Sequence, residues 1–341
     1  MPLSVYTPDA GYDDGGAVER GIIGGRLDFH ADVWREAGAV SAERLRRADG
    51  LLVWHQIALD AATIGRLEKC RVIVRAGVGF NNIDIAAAAA RGIPVCNTPD
   101  YGTAEVADHA LALLLALERG LIPFEHALRA DPVAGFDYRI YRDGRRLAGR
   151  TLAIVGLGRI GTAVALRAKA FGLRVVAFDP FLPRGQEIAL GVGRVETLAA
   201  LLGQADIVSL HVPLTAETAN LLDAASLQEL KPGATVLNTA RGGLIDLEAL
   251  FEAMQSGHVR SAGIDVFPVE PPQPLPRLLR AHAAREAWLE GRLVVTPHAA
   301  WSSIESRHDA RTKSTETLLA FLLRGELRNC VNADQLKPAG S

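Results

Sequence analysis

The chain has 341 residues, 49% of them hydrophobic and 22% charged, with 37 basic against 39 acidic side chains and a net charge of −2. That length predicts about two domains, because single cores stop growing near ~250 to 300 residues. The balanced charge, with no basic run beyond pairs such as Arg46-Arg47, argues against nucleic acid, and the lack of a long charge-free apolar run or a leader pattern points to a cytoplasmic protein without membrane contact.

In chain order, Leu51 to Trp54, Arg71 to Arg75 and Ile93 to Cys96 read as buried parallel strands. Ser41 to Ala48, Asp60 to Lys69 and Ile83 to Arg91 read as the intervening helices. Between them lies AGVGFNNID, Ala76 to Asp84, a glycine-rich loop after a strand, where backbone N–H groups can meet a carboxylate. Cys70, Cys96 and Cys330 are odd in number and lack metal spacing, so they read as reduced structural thiols, and no metal site is expected.

Thr103 to Leu128 is apolar on several faces, which predicts one long helix between domains, buried on more than one side and available to a second subunit. Asp131 to Arg150, polar and glycine-bearing, reads as a surface connection.

Thr151 to Pro180, TLAIVGLGRIGTAVALRAKAFGLRVVAFDP, carries the strongest signal. A strand from Thr151 to Val155 meets Gly156, a helical pattern follows Arg159, and a second strand, Arg174 to Phe178, stops at Asp179. Gly156, Gly158 and Gly161 fit GxGxxG, with Leu157, Arg159 and Ile160 between them. Such glycines serve a tight turn, close approach to a pyrophosphate and helix-strand packing. Asp179 follows Gly161 by 18 positions (179 minus 161), where an acidic side chain accepts from a ribose 2′-OH and repels a 2′-phosphate. The cofactor expected is NAD.

Four further strands end in polar clusters. Ile207 to Leu210 runs into HVPLT (His211, Val212, Pro213, with Thr218 nearby), and Thr235 to Asn238 into Thr239, Ala240 and Arg241. Ala262 to Ile264 runs into Asp265 and Glu270, and Leu293 to Val295 into His298, Ala300 and Trp301. Ligands of an open α/β sheet bind outside the carboxyl ends of its strands, so these clusters should converge on the dinucleotide. Hydride transfer to a keto acid needs a cation for the carboxylate, a proton donor for the developing alkoxide and a group that tunes the donor. Arg241, His298 and Glu270 supply one each. Residues 271–292 read as a surface insertion, and a helix from Ser302 to about Arg324 is expected to pack back on the first domain.

GLGRIG with Asp179, NTARGG around Arg241, Asp265 five residues before Glu270, and TPHAAW around His298 together resemble the D-isomer-specific 2-hydroxyacid dehydrogenase family over nearly the whole chain. VALRAKAFG, PHAAW and NCVNADQL are similar to its C-terminal-binding protein branch, bacterial relatives included. The resemblance implies two Rossmann-like doubly wound parallel-sheet domains, the NAD domain (101–298) inserted into a substrate domain made of 1–100 and a tail, 299–341. It implies that Arg241 binds the substrate, His298 is the acid/base and Glu270 its partner. Asp265 would contact the nicotinamide carboxamide, Val78 and Gly79 would offer N–H groups to the substrate, and Trp301 would line the pocket. A homodimer, D stereochemistry and a cofactor lying in the cleft between domains come from the same source.

Two departures stand out: Asn81, where the family commonly has aspartate, and the end of the chain at residue 341, which sets aside phosphoglycerate dehydrogenases with a regulatory appendage. The reading is an NAD-dependent enzyme that reduces a small 2-oxo acid to a D-2-hydroxy acid. The alternative is an NAD(H)-responsive dimeric scaffold of the C-terminal-binding protein type.

Overall fold

The computed structural model describes residues 2–33 and 40–336. The chain forms two compact units, one of residues up to Gly102 with those from Ser302 onward, the other Thr103–Trp301.

The first unit is built from β1 (Ser4–Ala10), α1 (Ala17–Ile23), β2 (Asp28–Val33), α2 (Ala42–Arg47), β3 (Gly50–Val53), α3 (Ala61–Gly65), β4 (Val72–Arg75), α4 (Ile85–Ala90) and β5 (Val95–Cys96). Its five strands are parallel, in the order β2-β1-β3-β4-β5. Side chains alternate across a strand, so one run of apolar residues feeds two cores. Leu51, Val53 and Ile73 face α2, α3 and α4 through Leu45, Ile64 and Ala88. Leu52, Val72 and Val74 face the other way.

The second unit begins with α5 (Thr103–Arg119) and α6 (Leu121–Ala130) and continues through β6 (Thr151–Val155), α7 (Arg159–Ala170), β7 (Arg174–Phe178), α8 (Gln186–Leu190), β8 (Gly193–Arg194), α9 (Leu198–Leu202) and β9 (Ile207–Leu210). α10 (Ala224–Gln228), β10 (Ala234–Asn238), α11 (Leu247–Gln255), β11 (Val259–Ile264), α12 (Arg277–Ala283) and β12 (Leu293–Val295) complete it. Its seven parallel strands run β12-β11-β10-β9-β6-β7-β8, so the strand order reverses at β6 and β9. Ala153 and Val155 of β6 face one core with Leu250 and Met254 of α11. Leu152 and Ile154 face the other with α5 and α7. The last helix, α13 (Ile304–Arg324), starts from a Ser303–Ser306 capping box and belongs to the first unit, where Leu318, Leu319 and Leu322 cover Leu52, Val72 and Val74.

Three sequence expectations change. The single helix over Thr103 to Leu128 is two, because Gly120 takes a left-handed φ of 62° and a Cβ there would overlap the Tyr141 ring. Its apolar residues, expected between domains, pack within the second unit on α7 and the sheet. Residues 271–292 are not a purely surface insertion: Leu278, Ala281 and Leu289 join the core beside α11, and Trp288 meets Phe251 edge-on at 5.5 Å. Among the described residues no helix is long and apolar enough to cross a membrane.

Candidate active site

The glycine turn sits where the strand order of the second sheet reverses, the place at which an open α/β sheet leaves a crevice. Gly156 has φ 89°, and an added Cβ would lie 2.6 Å from Val212 Cγ1 and 2.7 Å from the His211 carbonyl oxygen. The turn after β6 therefore packs on the one after β9. A Cβ on the buried Gly161 would overlap the Gly156 carbonyl, whereas one on the exposed Gly158 would meet nothing within 4 Å. Gly158 is the N-cap of α7 and no side chain caps it. The first N–H groups of a helix lack intrahelical partners and carry its positive end. Leu157 N–H donates to Asp179 Oδ2 at 2.9 Å and Phe181 N–H to Oδ1 at 3.0 Å, which fixes that carboxylate beside the turn. An open cradle, an uncapped helix and an oriented acidic side chain together fit the diphosphate and ribose of NAD.

The flanking residues are similarly organised. The Thr218 hydroxyl donates to the Pro213 carbonyl at 2.7 Å and accepts from Thr215 N–H at 2.8 Å, closing the loop after β9. His211 Nε2 lies 2.8 Å from Ser209 Oγ, and burial lowers this imidazole to about 4. Ala240 N–H donates to Asn238 Oδ1 at 3.0 Å, and the buried Thr239 hydroxyl has no hydrogen-bond partner among the described residues.

Arg241, Glu270 and His298 follow β10, β11 and β12, which are neighbours in the sheet. A Cβ on Gly242 would overlap the Phe267–Pro268 backbone, so the Arg241 loop rests directly on the loop that leads to Glu270. Asn238 Nδ2 donates to the Arg241 carbonyl at 2.9 Å, and Arg241 Nη1 to the Ala240 carbonyl at 2.6 Å. Glu270 Oε1 accepts from Phe267 N–H at 2.8 Å, and its Oε2 lies 2.6 Å from His298 Nδ1. A carboxylate only accepts, so Nδ1 carries the hydrogen and Nε2 is the nitrogen left to exchange a proton. His298 adopts φ 54°, a left-handed conformation that its surroundings must hold.

Asp265 is wholly buried and supports that turn. Its Oδ1 accepts from Ala299 N–H at 2.8 Å and from the Thr296 hydroxyl at 2.5 Å, its Oδ2 from Ala300 N–H at 3.0 Å, and its carbonyl from His298 N–H at 2.7 Å. Thr296 and His109 lie 3.0 Å apart, a contact that neither the TPHAAW motif nor the helix pattern indicates. Their separation of 187 positions hides the contact from any local pattern. Trp301 is partly buried at the end of the second unit.

Val78 and Gly79 belong to the first unit, on the loop after β4. Asn97 Nδ2 donates to the Val78 carbonyl at 2.8 Å, and Thr98 N–H to the Gly77 carbonyl at 3.0 Å. Arg75 is buried beneath Gly77, with Nη1 donating to the Ala76 carbonyl at 2.5 Å. Among the described residues no cluster of three or more His, Cys, Asp or Glu could hold a metal ion. Cys70 and Cys96 are buried, and burial pushes each thiol up to about 12. Cys330 keeps some exposure and pairs across an isolated bridge with Cys96.

Residues 111–300 match the family model for the D-isomer specific 2-hydroxyacid dehydrogenase NAD binding domain. The chain is 39% identical over 289 residues to the D-3-phosphoglycerate dehydrogenase of Mycobacterium leprae, covering 84% of this chain and 52% of that protein. It thus spans about half the length of that relative, a similarity that the expectation from residue 341 had set aside. The chain is also 37% identical over 331 residues to the glyoxylate reductase of Korarchaeum cryptofilum, covering 94% of both chains. Among solved structures, the NADPH-dependent glyoxylate/hydroxypyruvate reductase of Sinorhizobium meliloti, with NADP and malonate, superposes at a TM-score of 0.82 with 27% identity over 100% of both chains.

Proposed function

Since the chain belongs to the D-isomer-specific 2-hydroxyacid dehydrogenase family, we propose that it reduces a small 2-oxo acid to the D-2-hydroxy acid, reversibly, with NADH. The observation that carries this reading is the 2.6 Å contact of His298 Nδ1 with Glu270 Oε2, whose partner oxygen is already held by Phe267 N–H. It aims one ring nitrogen at a carboxylate and leaves the other to do acid/base work.

Gly156, Leu157, Gly158, Arg159, Ile160 and Gly161 would hold the diphosphate and Asp179 the adenosine ribose. His211, Val212, Pro213, Thr218, Thr239, Ala240 and Ala300 would flank the nicotinamide half, with Asp265 serving that end through the turn it supports. When bound, the reduced nicotinamide supplies hydride to the carbonyl carbon of the substrate. His298 Nε2 gives its proton to the carbonyl oxygen, and Glu270 stabilises the positive ring before transfer. Arg241 binds the substrate carboxylate, because a guanidinium pairs it bidentately and stays charged. On the first unit, Val78 and Gly79 offer backbone N–H groups suited to a substrate oxygen. Trp301 lines the side-chain pocket. Arg75 lies buried under its own loop, which favours an unphosphorylated substrate. The orientation of Asp179 favours NAD, unlike the cofactor of the Sinorhizobium relative.

A homodimer is part of the proposal. Val133, Phe136 and Tyr138 are 87%, 86% and 85% exposed in the stretch after α6, whose Leu121 and Leu128 are also exposed. Such apolar exposure suits burial by a second copy.

The test is NADH oxidation with glyoxylate, hydroxypyruvate, pyruvate, phenylpyruvate and 4-methylthio-2-oxobutyrate. At least one is turned over, and His298→Ala or Arg241→Ala lowers kcat/KM by about 10²-fold or more while NADH binding persists. Full activity in both variants overturns the assignment. If no 2-oxo acid oxidises NADH yet NADH raises the dimer mass, the scaffold reading replaces it.

A further inference from the structure

Resting on that function, we infer that His109 is a positioning residue for the His298 turn, acting through the Thr296 hydroxyl and the Asp265 carboxylate. His109 lies on α5, and its Nε2 is 3.0 Å from Thr296 Oγ1. The direction of these bonds follows from the chemistry of the partners. The Asp265 carboxylate can only accept, so the single Thr296 hydrogen points at Oδ1, 2.5 Å away. The hydroxyl oxygen then has only acceptor capacity to offer His109, and the imidazole must donate. This fixes the proton on His109 Nε2 and gives one polarity from His109 through Thr296 to Asp265, an arrangement in which each bond strengthens the next.

The chain of bonds ends on the turn that bears the proton donor. Asp265 takes the N–H groups of Ala299 and Ala300 on its side-chain oxygens and that of His298 on its carbonyl. His298 itself has the left-handed φ of 54°, a conformation that persists only where neighbours over-determine it. Without the His109 hydrogen, the Thr296 hydroxyl is free to turn, and Asp265 loses one of the three donors that hold its side-chain oxygens. The His298 ring then drifts from Glu270, which changes proton transfer, whereas the diphosphate cradle at the start of α7 shares none of these bonds.

Three variants of the full chain test this, His109→Ala, His109→Gln and the near-isosteric Thr296→Val, assayed with NADH and glyoxylate beside His298→Ala. The ring resonances of His298 are followed by NMR as a readout that needs no turnover. His109→Ala and Thr296→Val are expected to lower kcat ~10-fold, the scale seen for groups that orient a reacting ligand, with KM for glyoxylate and Kd for NADH within about twofold. Both should shift the His298 ring signals, and His109→Gln, whose amide can donate, should recover most of the rate. The positioning role is overturned if the His298 signals stay in place in both variants. It is also overturned if kcat, KM and NADH affinity fall together with no recovery by glutamine. If instead His298→Ala keeps full turnover, it is the proposed function that fails, while movement of the His298 signals still reports the bond chain.

Discussion

Each unit places a glycine-rich loop after a parallel strand, and the two loops are finished differently. After β6, Gly158 opens α7 with no side chain on its N-cap. After β4, the chain wanders through Gly77 and Gly79 and α4 starts only at Ile85, capped by Asp84, whose carboxylate accepts Ala87 N–H at 2.9 Å. The crevices differ in the same sense. In the second sheet the reversal of strand order at β6 and β9 holds the open cradle. In the first sheet the reversal falls between β1 and β3, where the buried Asp9 accepts Trp54 N–H at 2.9 Å and Gln56 N–H at 3.1 Å. A glycine-rich turn alone does not make a dinucleotide site. The uncapped helix behind it does, because a carboxylate already occupying that end repels an anion.

The largest expected effect comes from paired glycine substitutions. A Cβ at Gly161 runs into the Gly156 backbone, and one at Gly77 runs into the tip of the Arg75 side chain, which can move. Gly161→Val should cost roughly 3 kcal/mol or more and abolish NADH binding. Gly77→Ala should cost about 1 kcal/mol and raise the substrate KM with NADH affinity intact, as read by urea denaturation and NADH fluorescence. Equal losses of NADH affinity would erase the distinction between the loops.

A smaller effect separates the units by pH. Desolvation lowers His211 to about 4, below its unfolded value near ~6.5. Between those values the unfolded chain binds the extra proton, so stability present above pH ~6.5 declines as the pH falls towards 4, by about 2 to 3 kcal/mol. Asp9 is raised by burial, and for a raised carboxyl the folded state binds the proton first, so acid favours it. Urea denaturation at pH 7, 5.5 and 4.5 should show the decline, and His211→Gln should flatten it. The smallest effect is that of Asp84→Ala, which removes a cap for about 1 kcal/mol and leaves NADH binding alone.

The bounds of β6, β7, β9 and β12 coincide with those expected from the sequence, because strands buried on both faces read as short apolar runs between polar ends. β1 escaped, since SVYTPDA mixes polar and apolar residues without either period, whereas β2, DFHADV, alternates with the period of two but over only six residues. α12 looked like a charged surface helix because only Leu278 and Ala281 are buried, with Leu279 packing partly against the same core. At the site, Arg241, Glu270 and His298 were visible as polar residues just past strand ends. The pairing of Glu270 with His298 was expected from their chemistry and is met at 2.6 Å, whereas the contact of His109 with Thr296 had no sequence signal, because sheet neighbours are set by topology and not by distance along the chain.

The placement of α13 sets an order of events in the making of the protein. Leu318, Leu319 and Leu322 seal one face of the first sheet, and Asn332 Oδ1 accepts Val95 N–H at 2.9 Å across 237 positions. During synthesis those residues leave the ribosome only after all of Thr103–Trp301. The first unit therefore waits half-covered, with Leu52, Val72 and Val74 wet, while the second, contiguous in sequence, completes its own core.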